Sequence, residues 1–298
     1  MRCYERLVKL IKNFITRFFV LLMNEQNQNI QELDILYAHA NNNIRMGLAQ
    51  NILFKKFETV VGALLVLLTH KKLSFENTQS GSFCSDVFLK LLDESSAYLG
   101  CLNQASFYSS FHHTRALVEL FATARFCLNS SDTKIFEKYH TYNKIRRHIL
   151  FLDSIHGSNS WNLSSTDQAY LKKNYGTIDQ QSLALFGFKN IEQARLKISK
   201  SSNWFISIGE LLKNAGEQHV ATYERLCYYT HFSPLTDRSK QIVMGFPHWA
   251  EQAIYITAYY FLETINLLRD SPHTPHETQK LLREIPTHLG IINTEPKK

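Results

Sequence analysis

The stretch ASFYSSFHHTRALVELFATARFCL, residues 105–128, decides the fold that this sequence predicts. Wound as an α-helix, these residues carry apolar side chains around most of the circumference, which is typical of a helix buried on nearly every side. Such a helix needs other elements to cover it. We therefore predict that residues 105–128 form a central, buried helix.

The rest of the chain also predicts helices. Only 11 Gly and 6 Pro occur in 298 residues, and no proline precedes Pro234, so long helices can form without interruption. No stretch alternates between apolar and polar residues as a strand does, and no repeat of solenoid period is found. The predicted fold class is all-α: a multi-helix bundle with a long central core and a less regular helical insertion.

Turn and capping residues predict where individual helices begin and end. The apolar run at residues 59–69 predicts the centre of a buried helix. We expect a loop over residues 71–82, then a helix over 85–99 that ends at Gly100. Asp132 should cap a helix that runs to about residue 156. Later helices are predicted over residues 203–215 with Asn203 as the cap, 217–232, and 248–269 after a connection at 238–245.

Three parts of the chain are predicted. Residues 1–23 form an amphipathic helix, residues 24–285 a single helical domain with an irregular insertion at about 157–202, and residues 286–298 a tail. Arg6, Lys9, Lys12 and Arg17 interrupt the first part and leave only residues 18–23 unbroken and apolar, too few to span a bilayer. Docking on the domain is favoured over binding to a membrane surface. Met23 opens a polar stretch and is an alternative start of the chain.

Composition indicates the partners and the compartment. The formal charge of +7, with 13 His, favours anionic partners such as RNA, although no DNA-binding motif is recognised. The five Cys are widely spaced and contain no CxxC pair, which argues against a disulfide framework. We predict a cytoplasmic protein.

Arg225, Tyr228 and His231 follow one another at spacings of three, on one face of a late helix. A guanidinium can neutralise a phosphate, and an imidazole can accept or donate a proton near neutral pH. Arg225 and His231 are therefore candidate catalytic residues. The alternative is structural: His231 caps the helix end and Arg225 pairs with a core carboxylate.

A second polar stripe runs along the central helix, and Tyr228 of the late helix is grouped with it as a supporting residue. Its members are Tyr108, His112, Arg115 and Glu119. Buried polar stripes on two core helices tend to face each other, since each then satisfies the other. This stripe supports either a functional pocket or a salt-bridge network that fixes packing register.

Several classes of site are disfavoured. Cys227 and His231 lie four residues apart, but no companion pair has the spacing of metal ligands. The chain has no P-loop, no GxGxxG after a strand and no GxSxG elbow. We predict neither a metal nor a cofactor.

Residues 113–126 and 204–234 together resemble a family of uncharacterised bacterial all-helical proteins. In that family an Arg-x3-Glu helix precedes a Tyr-rich helix that ends in a Ser-x3-His pattern. Arg115 and Glu119 match the first element, and Tyr223, Cys227 and His231 match the second, with Cys227 where the family has Ser.

More distantly, the Arg-x5-His element at 225–231 resembles the HEPN superfamily, with Leu226 where its motif has a polar residue. Active members are dimeric, metal-independent ribonucleases of toxin, abortive-infection and CRISPR systems. The resemblance implies a homodimer in which Arg225 and His231 of two protomers meet and cut RNA by attack of the ribose 2′-hydroxyl. The predicted function is thus a metal-independent endoribonuclease or RNA-binding effector of bacterial defence or toxin systems. The alternative is a non-enzymatic helical sensor or interaction protein with a structural polar network at the same residues.

Overall fold

A computed structural model describes residues 51–104, 107–155, 164–198, 206–227, 230 and 235–289. Within these ranges it contains eleven α-helices and no strand, which confirms the predicted all-α fold. The helices are α1 (Ile52–Thr69), α2 (Gln79–Asn103), α3 (Phe107–Leu128), α4 (Ile135–Ile155), α5 (Ser165–Tyr175), α6 (Gln180–Ala184), α7 (Ile191–Ile198), α8 (Ile208–Ala215), α9 (Glu217–Cys227), α10 (Leu235–Asp270) and α11 (His276–Leu289).

The chain divides into two compact units. One comprises Met1–Asn51 and Ser233–Gln252, and the other comprises Ile52–Phe232 and Ala253–Lys298. In the first unit, the described helix is the beginning of α10. The predicted amphipathic helix over residues 1–23 lies outside the described residues.

The core of the second unit forms around α3, as the apolar circumference of residues 105–128 predicts. Leu117, Val118 and Phe121 of α3 are essentially inaccessible to solvent, and α3 packs against α2, α8 and α9. Thr114 of α3 and Thr257 of α10 are joined by a 2.9 Å hydrogen bond between their hydroxyls inside this core. Burying a large apolar side chain contributes about 1.5–3 kcal/mol, so α3 is a major source of stability.

The predicted boundaries of α2 are wrong at both ends. Instead of continuing the loop to residue 82, the chain begins α2 at Gln79, because the Thr78 side chain accepts a hydrogen bond from the Gly81 N–H at 3.0 Å. Gly100 does not end the helix but lies within it, and α2 continues to Asn103. Gly81 is the glycine that the local structure requires, since a Cβ there would lie 2.2 Å from the Glu76 carbonyl oxygen.

Two later boundaries also differ from prediction. The helix expected from Asn203 begins at Ile208, where Ser207 and Glu210 form a reciprocal capping box that satisfies the first backbone N–H groups. The connection predicted at residues 238–245 is part of the continuous helix α10. Pro247 lies inside that helix, where its missing N–H removes only one backbone hydrogen bond.

α1 is buried on one side only, so the prediction that residues 59–69 form the centre of a buried helix is wrong. Phe57, Val61 and Leu64 are buried, whereas Val66 is 56% exposed. No helix in the described part of the chain combines the length and the apolar character that crossing a membrane requires.

The predicted irregular insertion consists, in its described part, of the short helices α5, α6 and α7, which pack on α4. Tyr142 of α4 contacts Phe186 with ring centroids 5.7 Å apart. An ion pair joins Arg195 of α7 to Asp153 of α4. α4 therefore has the core on one side and the insertion on another.

Candidate functional site

Arg115 and Glu119 form an ion pair along α3. The Arg115 Nε lies 3.5 Å from Glu119 Oε1, and the two side chains are 24% and 19% exposed. The pair forms because the residues are four apart on one helix, which stacks their side chains. Its partial burial makes each charge dependent on a partner.

Tyr223 of α9 reaches the same carboxylate. α9 follows α8 after Gly216, whose φ of 130° allows the chain to turn, and α9 then packs along α3. The Tyr223 hydroxyl donates a hydrogen bond to Glu119 Oε1 at 2.8 Å. We call Arg115, Glu119 and Tyr223 the polar centre.

The polar centre keeps Tyr223 protonated. Burial is the main cause that raises the pKa of Tyr223 well above its usual value, and the negative charge of Glu119 and its hydrogen bond act in the same direction. The hydroxyl is consequently a hydrogen-bond donor at any physiological pH.

Arg225 does not join the polar centre. It lies two residues after Tyr223, which turns it by about 200° around α9, and its side chain is exposed to solvent. Arg225 therefore lies on a face of α9 other than that of Tyr223. Tyr228 and His231 lie outside the described residues.

The polar stripe predicted on α3 is only partly buried. Arg115 and Glu119 are half-buried, whereas the His112 side chain is exposed. The backbone of Tyr108 belongs to α3, but its side chain lies outside the described part.

Sequence reasoning missed a buried histidine beside the polar centre. His219 of α9 is 2% exposed, and its Nδ1 lies 2.9 Å from the Tyr260 hydroxyl of α10. Its ring also contacts Phe121 of α3 at a centroid distance of 5.0 Å. The signal was the spacing of four between His219 and Tyr223, which places both on the face of α9 that meets α3.

A small chamber adjoins the polar centre. Its volume is about 110 Å³, and Glu119, Lys90 of α2 and Arg146 of α4 are among the residues that line it. Two cations thus share this chamber with the carboxylate of the polar centre. Ile208 and Leu211 of α8 contribute apolar lining.

A larger cleft of about 930 Å³ lies between α2 and α4 and shares Lys90, Tyr139 and Asn143 with the chamber. Its lining includes several charged side chains from both helices. The sequence carried a signal for it in the spacing of polar residues by three and four along residues 86–94 and 139–147. Such stripes are ordinarily solvated surfaces, so the spacing alone does not identify a cleft.

Among the described residues, no group of three His, Cys, Asp or Glu side chains is placed to hold a metal ion. The chain was compared with protein-family models, curated proteins and solved structures, and none of them matches it. Fold and site define an all-α protein whose polar centre joins two helices of one protomer.

Proposed function

We propose that this chain is a non-enzymatic helical sensor or interaction protein in which the polar centre fixes the packing of α3 against α9. The observation that carries the proposal is that Glu119 Oε1 has two donors within one protomer, Tyr223 at 2.8 Å and Arg115 at 3.5 Å. A buried network of this kind can specify the register of two helices.

The protonation of the polar centre supports a structural role. A general base needs a pKa near the working pH and free access to the proton that it accepts. The pKa of Tyr223 is raised, so its hydroxyl keeps its proton. Glu119 Oε1 accepts from Tyr223 and pairs with Arg115, so this oxygen is already engaged by two groups of the same chain.

An RNA cleavage assay tests the proposal. The full chain is incubated with total RNA in EDTA, beside Arg225→Ala and the matched control Lys213→Ala on the exposed side of α8. We expect intact RNA in every sample. Cleavage by the wild type and by Lys213→Ala, but not by Arg225→Ala, would contradict a non-enzymatic role.

A second candidate is the metal-independent endoribonuclease or RNA-binding effector of a bacterial defence or toxin system. The observation that favours it is the exposure of Arg225, which has no ion-pair partner in the described part of the chain. An exposed guanidinium on α9 is accessible both to a phosphate and to a second protomer.

Two measurements separate this candidate from the first. Sedimentation of the full chain reports whether it forms a homodimer, as a composite ribonuclease site requires. In the cleavage assay, loss of activity in both Arg225→Ala and His231→Ala would support the ribonuclease. Binding of RNA without cleavage, weakened by Arg225→Ala and by added salt, would support an RNA-binding effector.

A further inference from the structure

The cleft between α2 and α4 has the dimensions of a small-molecule site. Its volume of about 930 Å³ lies in the range of pockets that enclose ligands of drug size. Neither the sequence motifs nor the polar centre accounts for it. Leu65 and Leu68 of α1 and Leu89 of α2 contribute apolar surface to its lining.

The two long walls of the cleft carry opposite charges. Asp86, Asp93 and Glu94 line it from α2, while His140, Lys144 and Arg147 line it from α4. Lys90 is the one cation that α2 adds. Burial and the negative charge of Asp86 raise the pKa of Tyr139 to about 12, so this tyrosine adds no charge at neutral pH.

The basic wall is held in place by the insertion. Arg147 donates a hydrogen bond to the Tyr175 hydroxyl and lies over the Tyr175 ring, 5.1 Å from its centroid. Lys144 lies 3.5 Å from Asp179, but both side chains are well exposed, so this contact is weak. Lys144 can therefore exchange Asp179 for an anionic group in the cleft.

One carboxylate of the acidic wall is available to a ligand. Glu94 is engaged by His113 at 2.8 Å, and Asp86 lies 3.9 Å from His140. Asp93 is exposed and forms no ion pair in the described part of the chain. An ammonium group in the cleft would find Asp93 as its first partner.

This balance of charge selects a class of ligand. Three carboxylates repel a polyanion such as RNA, and the three cations Lys90, Lys144 and Arg147 repel a polycation. We propose that the cleft binds a small zwitterion, with its cationic group at the α2 wall near Asp93 and its anionic group at the α4 wall near Lys144. A short peptide with free ends carries both groups. Neither Arg225 nor any residue of the polar centre lines the cleft, so failure of this proposal leaves the RNA experiments unaffected.

Calorimetric titration of the full chain with the tripeptide Ala-Phe-Ala tests the ligand class. The N-acetylated peptide lacks the ammonium, and the C-terminal amide lacks the carboxylate. We expect the free peptide to bind, and each blocked form to bind about two- to fivefold more weakly, as the loss of one partly exposed ion pair implies. Equal binding of the three forms, no binding of the free peptide in the millimolar range, or tighter binding of spermine or pyrophosphate would overturn the proposal.

Two variants test the assignment of the walls. Asp93→Asn should weaken binding of the free peptide but not of the N-acetylated form, and Lys144→Gln should weaken binding of the free peptide but not of the amide. Glu217→Gln and Lys213→Gln remove the same charges from exposed positions on α9 and α8, and should leave all affinities unchanged. Wall variants that weaken all three peptides equally, or none of them, would refute the assignment.

Discussion

Glu119 illustrates how a single residue joins two helices. One of its carboxylate oxygens pairs with Arg115 of its own helix and accepts a hydrogen bond from Tyr223 of α9. Since the carboxylate is only 19% exposed, water cannot readily replace a lost donor. Substitutions at the polar centre should therefore affect stability more than substitutions at exposed residues of the same type.

Tyr223→Phe should lower the free energy of unfolding by about 1–2 kcal/mol, because it removes the hydroxyl that donates a hydrogen bond to the half-buried Glu119 carboxylate. Urea titration followed by circular dichroism measures the change. The control is Tyr255→Phe, at a tyrosine that is 56% exposed. In the double variant with Glu119→Gln the two losses should not add. Full additivity, or equal stability of the Tyr223 and Tyr255 variants, would show that the contact is not stabilising.

His219 should make stability depend on pH. Burial lowers its pKa in the folded protein below the usual 6.5, so the unfolded chain binds more protons just below that pH. The contribution of neutral His219 is complete above about pH 6.5 and is lost as the pH falls through the folded pKa. Denaturant unfolding at about pH 7.5 and about pH 5 should show a smaller loss in His219→Gln than in the wild type. Identical losses would argue against the shift.

Among the helices, α2 shows that two glycines can have opposite roles. Gly81→Ala should destabilise the protein by about 1–3 kcal/mol, because its Cβ would meet the Glu76 carbonyl oxygen at 2.2 Å. Gly100→Ala should stabilise it by about 0.5–1 kcal/mol, since a Cβ there has no neighbour within 4 Å and the position is helical. Thermal unfolding of both variants measures these effects. Destabilisation by Gly100→Ala would contradict this placement of Gly100 inside the helix and would favour the prediction that α2 ends there.

The elements that sequence predicts well are those determined by a local property. The apolar circumference of residues 105–128 depends on these residues alone, and α3 occupies Phe107–Leu128. Gly100 could not be assigned in the same way, because a glycine ends a helix only where the following chain turns away. The connection predicted at residues 238–245 was wrong as well, since a helix can continue across the one backbone hydrogen bond that Pro247 removes.

The candidate sites were predictable to different extents. The pairing of Arg115 with Glu119 follows from a spacing of four. The contact of Glu119 with Tyr223 needs the orientation of α9 relative to α3, which no periodicity supplies. The cleft could not be predicted from the sequence for the same reason, because its two walls lie on the separate helices α2 and α4.

At the scale of the whole molecule, buried thiols report on unfolding. Cys84 and Cys127 are buried, and burial raises the pKa of both thiols, which suppresses the reactive thiolate. Iodoacetamide should modify them only when denaturant unfolds the chain, whereas the half-buried Cys227 should react earlier. Peptide mass spectrometry across a urea series gives the order of modification. Reaction of Cys127 in native buffer as fast as Cys227 would indicate that the core opens readily.

The attachment of α5, α6 and α7 to α4 bears on how this protein can change over evolution. These helices pack on α4, and the Tyr175 side chain lines the cleft beside Arg147. Substitutions in the three short helices can alter one end of the cleft while the packing around α3 stays intact. A lineage can thus acquire a new ligand preference without changing the core residues around α3. A laboratory library confined to residues 164–198 would test whether ligand preference changes in this way.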